Sequence, residues 1–164
     1  MENTGLIIMH PFFTQLFKFV EFLNDENQFK NKELQFRAVH LLHYIATGEN
    51  SNINEADLAV SKILSGLLIE DSIPLNLVLS ENEKNYASKI LQVVISKWEK
   101  LGNTSEDGLR NTFLKRNGLL EEKDEAYQLT VETSGTDILL DYIPWNISLI
   151  KLPWIKNIIY ISWR

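Results

Sequence analysis

Apolar residues recur at helical spacing through the first two-thirds of the chain and switch to simple alternation near its end. From His10-Pro11 onward, Phe12, Phe13, Leu16, Phe17, Phe19, Val20 and Leu23 place apolar groups on more than one face, which predicts a helix buried on several sides. Asn31 is positioned to cap a second helix, where Leu34, Ala38, Leu41, Leu42 and Ile45 form a stripe and Gly48 ends the run. A third helix is expected from Asn54 as N-cap, carrying Val60, Ile63, Leu64 and Leu67, before Ser72-Ile73-Pro74 breaks the pattern. The best-marked helix follows. Ser80 and Glu83 have capping-box spacing, and Ala87, Ile90, Leu91, Val94, Trp98 and Leu101 recur three and four residues apart up to Gly102. Thr104 or Ser105 then caps a short helix with Leu109 and Phe113, ending at Gly118.

Beyond Gly118 the period becomes two. Tyr127, Leu129 and Val131 alternate with Gln128, Thr130 and Glu132, as in a strand with one buried face. Leu119 to Glu121 is its expected hairpin partner, with the turn at Lys123 to Glu125. Ile159, Ile161 and Trp163 mark a second strand, and Leu6 to Met9 is a further strand candidate. No repeat, low-complexity tract or linker divides the chain. The expected architecture is a single α+β domain over residues 1–164, with about five helices in the first two-thirds and a small antiparallel sheet near the C-terminus.

Composition narrows the function. With 164 residues, 45% of them apolar, the chain suits one packed domain. It has no cysteine, which removes disulfides and thiolate chemistry. A net charge of -6 gives no general attraction to nucleic acid, and none is expected as a partner. No apolar run approaches the ~20 residues of a membrane span, so no membrane insertion is expected. Nor does the start carry a standard signal peptide.

Few residues invite a chemical role. His40 and His43 share one side of a helix, with Glu49 and Asp57 not far along the chain, but no HExxH spacing accompanies them. They are better read as polar residues flanking the Leu41-Leu42 stripe, and no metal or cofactor is expected. His10 suits a cap or turn. Asp137 and Asp141 are four apart and either pair for acid–base work or border a buried turn. No Gly-rich phosphate loop and no Gly-x-Ser-x-Gly motif is present, so an enzyme is not expected. Arg110 and Arg116 are candidates to grip carboxylates of a partner, or to pair internally with Glu106, Asp107 or Glu121. Trp145 and Trp154 each follow a proline and are candidate interface anchors, with core packing as the alternative; for Trp163 core packing is preferred.

Several segments carry a resemblance. They include Gly5-Leu6-Ile7-Ile8-Met9-His10-Pro11-Phe12-Phe13, Arg37 through Glu49, Lys62 to Leu67, and Thr104 to Arg110. Phe113 to Gly118, Asp141-Tyr142-Ile143-Pro144-Trp145-Asn146-Ile147-Ser148 and Ile150-Lys151-Leu152-Pro153-Trp154 continue the series. In this order they resemble the terminal domain of contractile injection system tape measure proteins, across nearly the whole chain. The resemblance implies a structural part of a bacterial phage-tail-like particle, in which a long extended region sets tube and sheath length and a terminal domain attaches to other components. It implies protein–protein contacts with baseplate or hub components or with assembly factors, and allows self-association. Assembly is then cytoplasmic, and the finished particle either stays there or is released. The long region is absent from this chain, and a folded domain of this size has a radius of gyration of only ~15 Å. It suits an anchor for a ruler, or a stand-alone accessory or assembly-chaperone module of the same system.

Overall fold

The computed structural model describes residues 1–163. Among the described residues there are five α-helices: α1 (Phe13–Phe19), α2 (Lys32–Thr47), α3 (Ala59–Leu64), α4 (Glu81–Lys97) and α5 (Glu106–Leu109). Short 3-10 segments at Thr4–Phe12, Glu55–Leu58, Glu99–Leu101 and Gly135–Tyr142 supplement them, and a π turn, Arg110–Leu114, extends α5. The two long helices form where local signals agree. The Asn31 side chain accepts from the Leu34 amide at 2.9 Å, and Gly48 closes α2 at φ 76. At α4, Ser80 and Glu83 complete a reciprocal capping box.

Leu6 to Met9 lies in the 3-10 segment and not in a strand. All four residues are fully buried, so the run satisfies its apolar character by being surrounded rather than by pairing on a sheet. The Thr4 amide and hydroxyl both donate to the Arg116 carbonyl at 2.8 Å, which pins this segment across the π turn. The approach at Gly5 is so close that a Cβ there would lie 1.6 Å from the Phe113 carbonyl oxygen. Ahead of it, Met1 exchanges two backbone hydrogen bonds with Gly118. The first helix also ends earlier than its apolar pattern, because the chain turns at Glu21, with φ 61. Near Asn54, whose side chain makes no capping bond, the third helix opens with a 3-10 turn before α3.

The late sheet has four strands, β1 (Gly118–Lys123), β2 (Ala126–Val131), β3 (Leu149–Ile150) and β4 (Ile159–Ser162), in the order β1-β2-β4-β3. The β1–β2 hairpin turns through Asp124 and Glu125, both at positive φ, the conformation of a tight hairpin that follows strand twist. β3 and β4 are also antiparallel, but β2 and β4 are parallel, with Leu129 opposite Ile161. The sheet is therefore mixed rather than wholly antiparallel. The segment between β2 and β4 supplies the long crossover that a parallel pair needs. Alternation specifies which face of a strand is buried and says nothing of its direction.

Tyr127, Leu129, Val131, Ile159 and Ile161 all face inward and join one core with the helices. At its centre Trp98 is fully buried against Phe113, ring centroids 4.7 Å apart. A smaller cluster of Val39, Leu58, Leu67 and Ile73 lies under the α2–α3 side. Gly5→Ala is expected to lower the unfolding free energy by about 3 kcal/mol, since only a backbone shift relieves the overlap. Gly135→Ala, where a Cβ meets open space, should stay within about 0.5 kcal/mol. Urea titration of both variants checks the contrast.

Candidate partner-binding site

The four residues singled out for partner contact differ sharply in how much of each is left for a partner. Arg116 is almost wholly engaged. Its guanidinium donates to Asp137 Oδ1 at 2.7 Å and Oδ2 at 3.3 Å, to the Glu132 carbonyl at 3.0 Å and to Thr136 Oγ1 at 3.1 Å. Its Nε reaches the Thr112 carbonyl at 2.8 Å. Trp163 Nε1 donates to the same carboxylate at 3.0 Å, and the Ser134 amide does so at 2.8 Å. Burial pushes the Asp137 carboxyl up, but the Arg116, Ser134 and Trp163 hydrogen bonds together with the Arg116 charge outweigh it and hold it below 3.8.

Arg110 is buried too. It donates to the Ile45 carbonyl at 2.9 Å and to Asp107 at 3.0 Å, which is one of the internal pairings its sequence neighbours allow. Glu106 instead accepts from Ser88 and Gln92 on α4. Trp154 is buried between Phe17 and Phe29, and its Nε1 donates to the Leu64 carbonyl at 2.8 Å. Trp145 is only half-buried. Its Nε1 bonds the Ile8 carbonyl at 2.8 Å and its ring meets Phe12 edge-on at 5.1 Å.

Of the four, Trp145 has the most open surroundings. The preceding 3-10 segment exposes Ile138 and Tyr142, at 61% and 52%, and Pro144 is exposed beside them. Tyr142 carries the Lys100 ammonium over its ring at 4.6 Å, and these residues with Lys97 and Glu99 border a shallow cavity. The result is a mixed aromatic and basic surface.

The histidines serve the fold. His40 is fully buried and hydrogen-bonds the Pro74 carbonyl at 2.6 Å, tying α2 to the break after α3. Burial lowers the pKa of His10, His40 and His43 below 6.5, and the hydrogen bond of His10 to the Asn146 carbonyl offsets only part of this. Among the described residues no three His, Cys, Asp or Glu side chains converge as metal ligands. Asp137 is committed to Arg116, whereas Asp141 is exposed.

Three features were not legible beforehand. Asp137 as the partner of Arg116 lies 21 residues away, beyond the neighbours that sequence proximity suggests. The pair of Arg37 with Glu83 joins α2 to the cap of α4. Lys62, 2% exposed, reaches Glu55 and the Ile69 carbonyl, each at 3.0 Å.

Arg110, Arg116, Asp137 and Lys62 are buried polar groups spent on holding elements together. The family model for the contractile injection system tape measure protein matches residues 1–163, and the chain belongs to that family. No curated protein and no solved structure matches it. No helix among the described residues is long and apolar enough to cross a membrane.

Removing one partner of a buried ion pair leaves a charge uncompensated, so Asp137→Asn should destabilise the domain by about 3 kcal/mol. In the wild type the folded-state pKa is depressed. The stability from Asp137 is therefore complete above 3.8 and is lost as pH falls below that value through the folded pKa. Urea midpoints measured as pH is lowered below 3.8 should fall more steeply for wild type than for the variant; parallel curves would remove Asp137 from this role.

Proposed function

We propose that this chain is the anchoring domain of a tape measure: a structural, non-enzymatic part of a phage-tail-like contractile injection particle that holds one end of the length-setting region to neighbouring components. The match of the family over residues 1–163 carries the reading. The physics of the domain supports it. A ruler needs length per residue, and even continuous helix gives only about 1.5 Å each, whereas the longest helix here has 17 residues. The proposed partners are baseplate or hub proteins, met during assembly in the cytoplasm. The proposed contact surface is the one around Trp145, with Ile138 and Tyr142 exposed beside it and Lys100 at its border. Aromatic groups of this kind are enriched where protein interfaces concentrate their binding energy.

The test uses particles assembled from the native locus. Mass spectrometry of purified particles should find the chain retained alongside the hub. If it is required for assembly yet missing from finished particles, the assembly-chaperone role replaces the anchor. A variant carrying Ile138→Asp and Tyr142→Ala should give far fewer particles in electron micrographs, while the purified domain unfolds at the wild-type urea concentration within error. Normal particle yield from that variant removes this surface from the interface.

A further inference from the structure

The first residues of the chain start a strand on the open edge of the sheet and leave it unfinished. β1 is an outer strand, with β2 on one side and no strand among the described residues on the other. On that free side the Met1 ammonium donates to the Gly118 carbonyl at 2.8 Å, and the Gly118 amide donates back to the Met1 carbonyl at 2.9 Å. This is the reciprocal pair of an antiparallel ladder. The Thr4 amide meets the Arg116 carbonyl on the same side, with Asn3 at φ 60 as an extra, bulged residue between the two contacts. Backbone groups alternate in direction along a strand, so Leu120 and Glu122 turn theirs outward as Gly118 does, whereas Leu119, Glu121 and Lys123 turn theirs to β2. The ladder that Met1 opens therefore has two further places, and both are vacant.

The side chains at these places select what can fill them. Glu121, Glu122, Asp124 and Glu125 bring four negative charges and Lys123 one positive, a balance of three negative on five exposed residues. Their field reaches the next strand, where the charges of Glu122 and Glu70 add to burial in pushing the Tyr127 phenol up. A second copy of the chain is a poor occupant. Pairing Leu120 of each copy with Glu122 of the other would set the two Glu121 carboxylates directly opposite one another. An extended segment with two adjacent basic residues has the complementary charge. Consecutive side chains of a strand point to opposite faces, so one base lies against Glu121 and the next against Glu122.

We propose that the outer edge of β1 takes up an extended, basic segment of a partner protein as a fifth strand, antiparallel to β1 and in line with Met1 to Thr4. Main-chain bonds to Leu120 and Glu122 hold it, and the acidic side chains choose it. The inference does not rest on the surface around Trp145. Nitrogen-15 NMR spectra and amide hydrogen exchange of the whole chain test it, with the blocked peptide Thr-Val-Arg-Lys-Val-Thr as probe. The same six residues fused ahead of Met1 give a second measurement at high effective concentration, in the register that sets Lys opposite Glu121 and Arg opposite Glu122. In the fusion, exchange at the Leu120 and Glu122 amides should slow about tenfold or more, while Leu119 and Glu121, already bonded to β2, change little. The free peptide at up to about 1 mM should shift the Leu120 and Glu122 signals saturably. No slowing in the fusion, or slowing spread evenly over residues 119–123, overturns the added strand. An equal effect from Thr-Val-Glu-Glu-Val-Thr overturns the basic partner. Slowing in the fusion without saturable shifts from the free peptide overturns a separate protein as its source.

Discussion

The Arg116 residue ties together widely separated parts of the chain. Its carbonyl receives both hydrogen bonds of Thr4, which fixes the buried entry segment. Its guanidinium ties the end of β2 at Glu132 to the Gly135–Tyr142 segment at Asp137, and the same carboxylate takes the indole proton of Trp163 beyond β4. A charge this deep is tolerable only because every direction around it carries an acceptor or an aromatic face, Phe113 and Trp163 at 5.8 and 5.5 Å among them.

The tryptophans repeat this logic with neutral donors. Trp98 bonds the Leu139 carbonyl, Trp145 that of Ile8, Trp154 that of Leu64, and Trp163 the Asp137 carboxylate. Each indole buries a large apolar surface and uses its single polar atom to fix a position. Together they fasten the irregular C-terminal segment onto the helical layer, with little regular secondary structure of its own beyond β3 and β4. That segment in turn sets the open surface beside Trp145.

Legibility followed interaction range. The caps of α2 and α4, the inward face of β2 and the Asp124-Glu125 hairpin were all readable, because each depends on residues within a few positions of one another. Family blocks spread along the chain identified what local physics could not. Leu6 to Met9 was ambiguous, since a short apolar run fits a strand or any fully surrounded segment, and only the close pass over Phe113 decides. The direction of β4 and the pairing of Arg116 with Asp137 were hidden for a related reason. Both depend on the path of the crossover, which leaves no periodic trace. The arginines and Trp154 were visible as residue types, but whether their donors turn inward or outward is a tertiary property.

The burial of Leu6 to Met9 also has a meaning in time. Ribosomal synthesis runs toward the C-terminus, so these residues emerge ahead of Trp145, whose indole closes on Ile8 and which follows 137 positions later. At common rates of 5–20 residues per second that interval is roughly 7–27 s. A segment fully hidden in the finished domain thus waits, after α1 and α2 have been made, for the last of the partners that cover it.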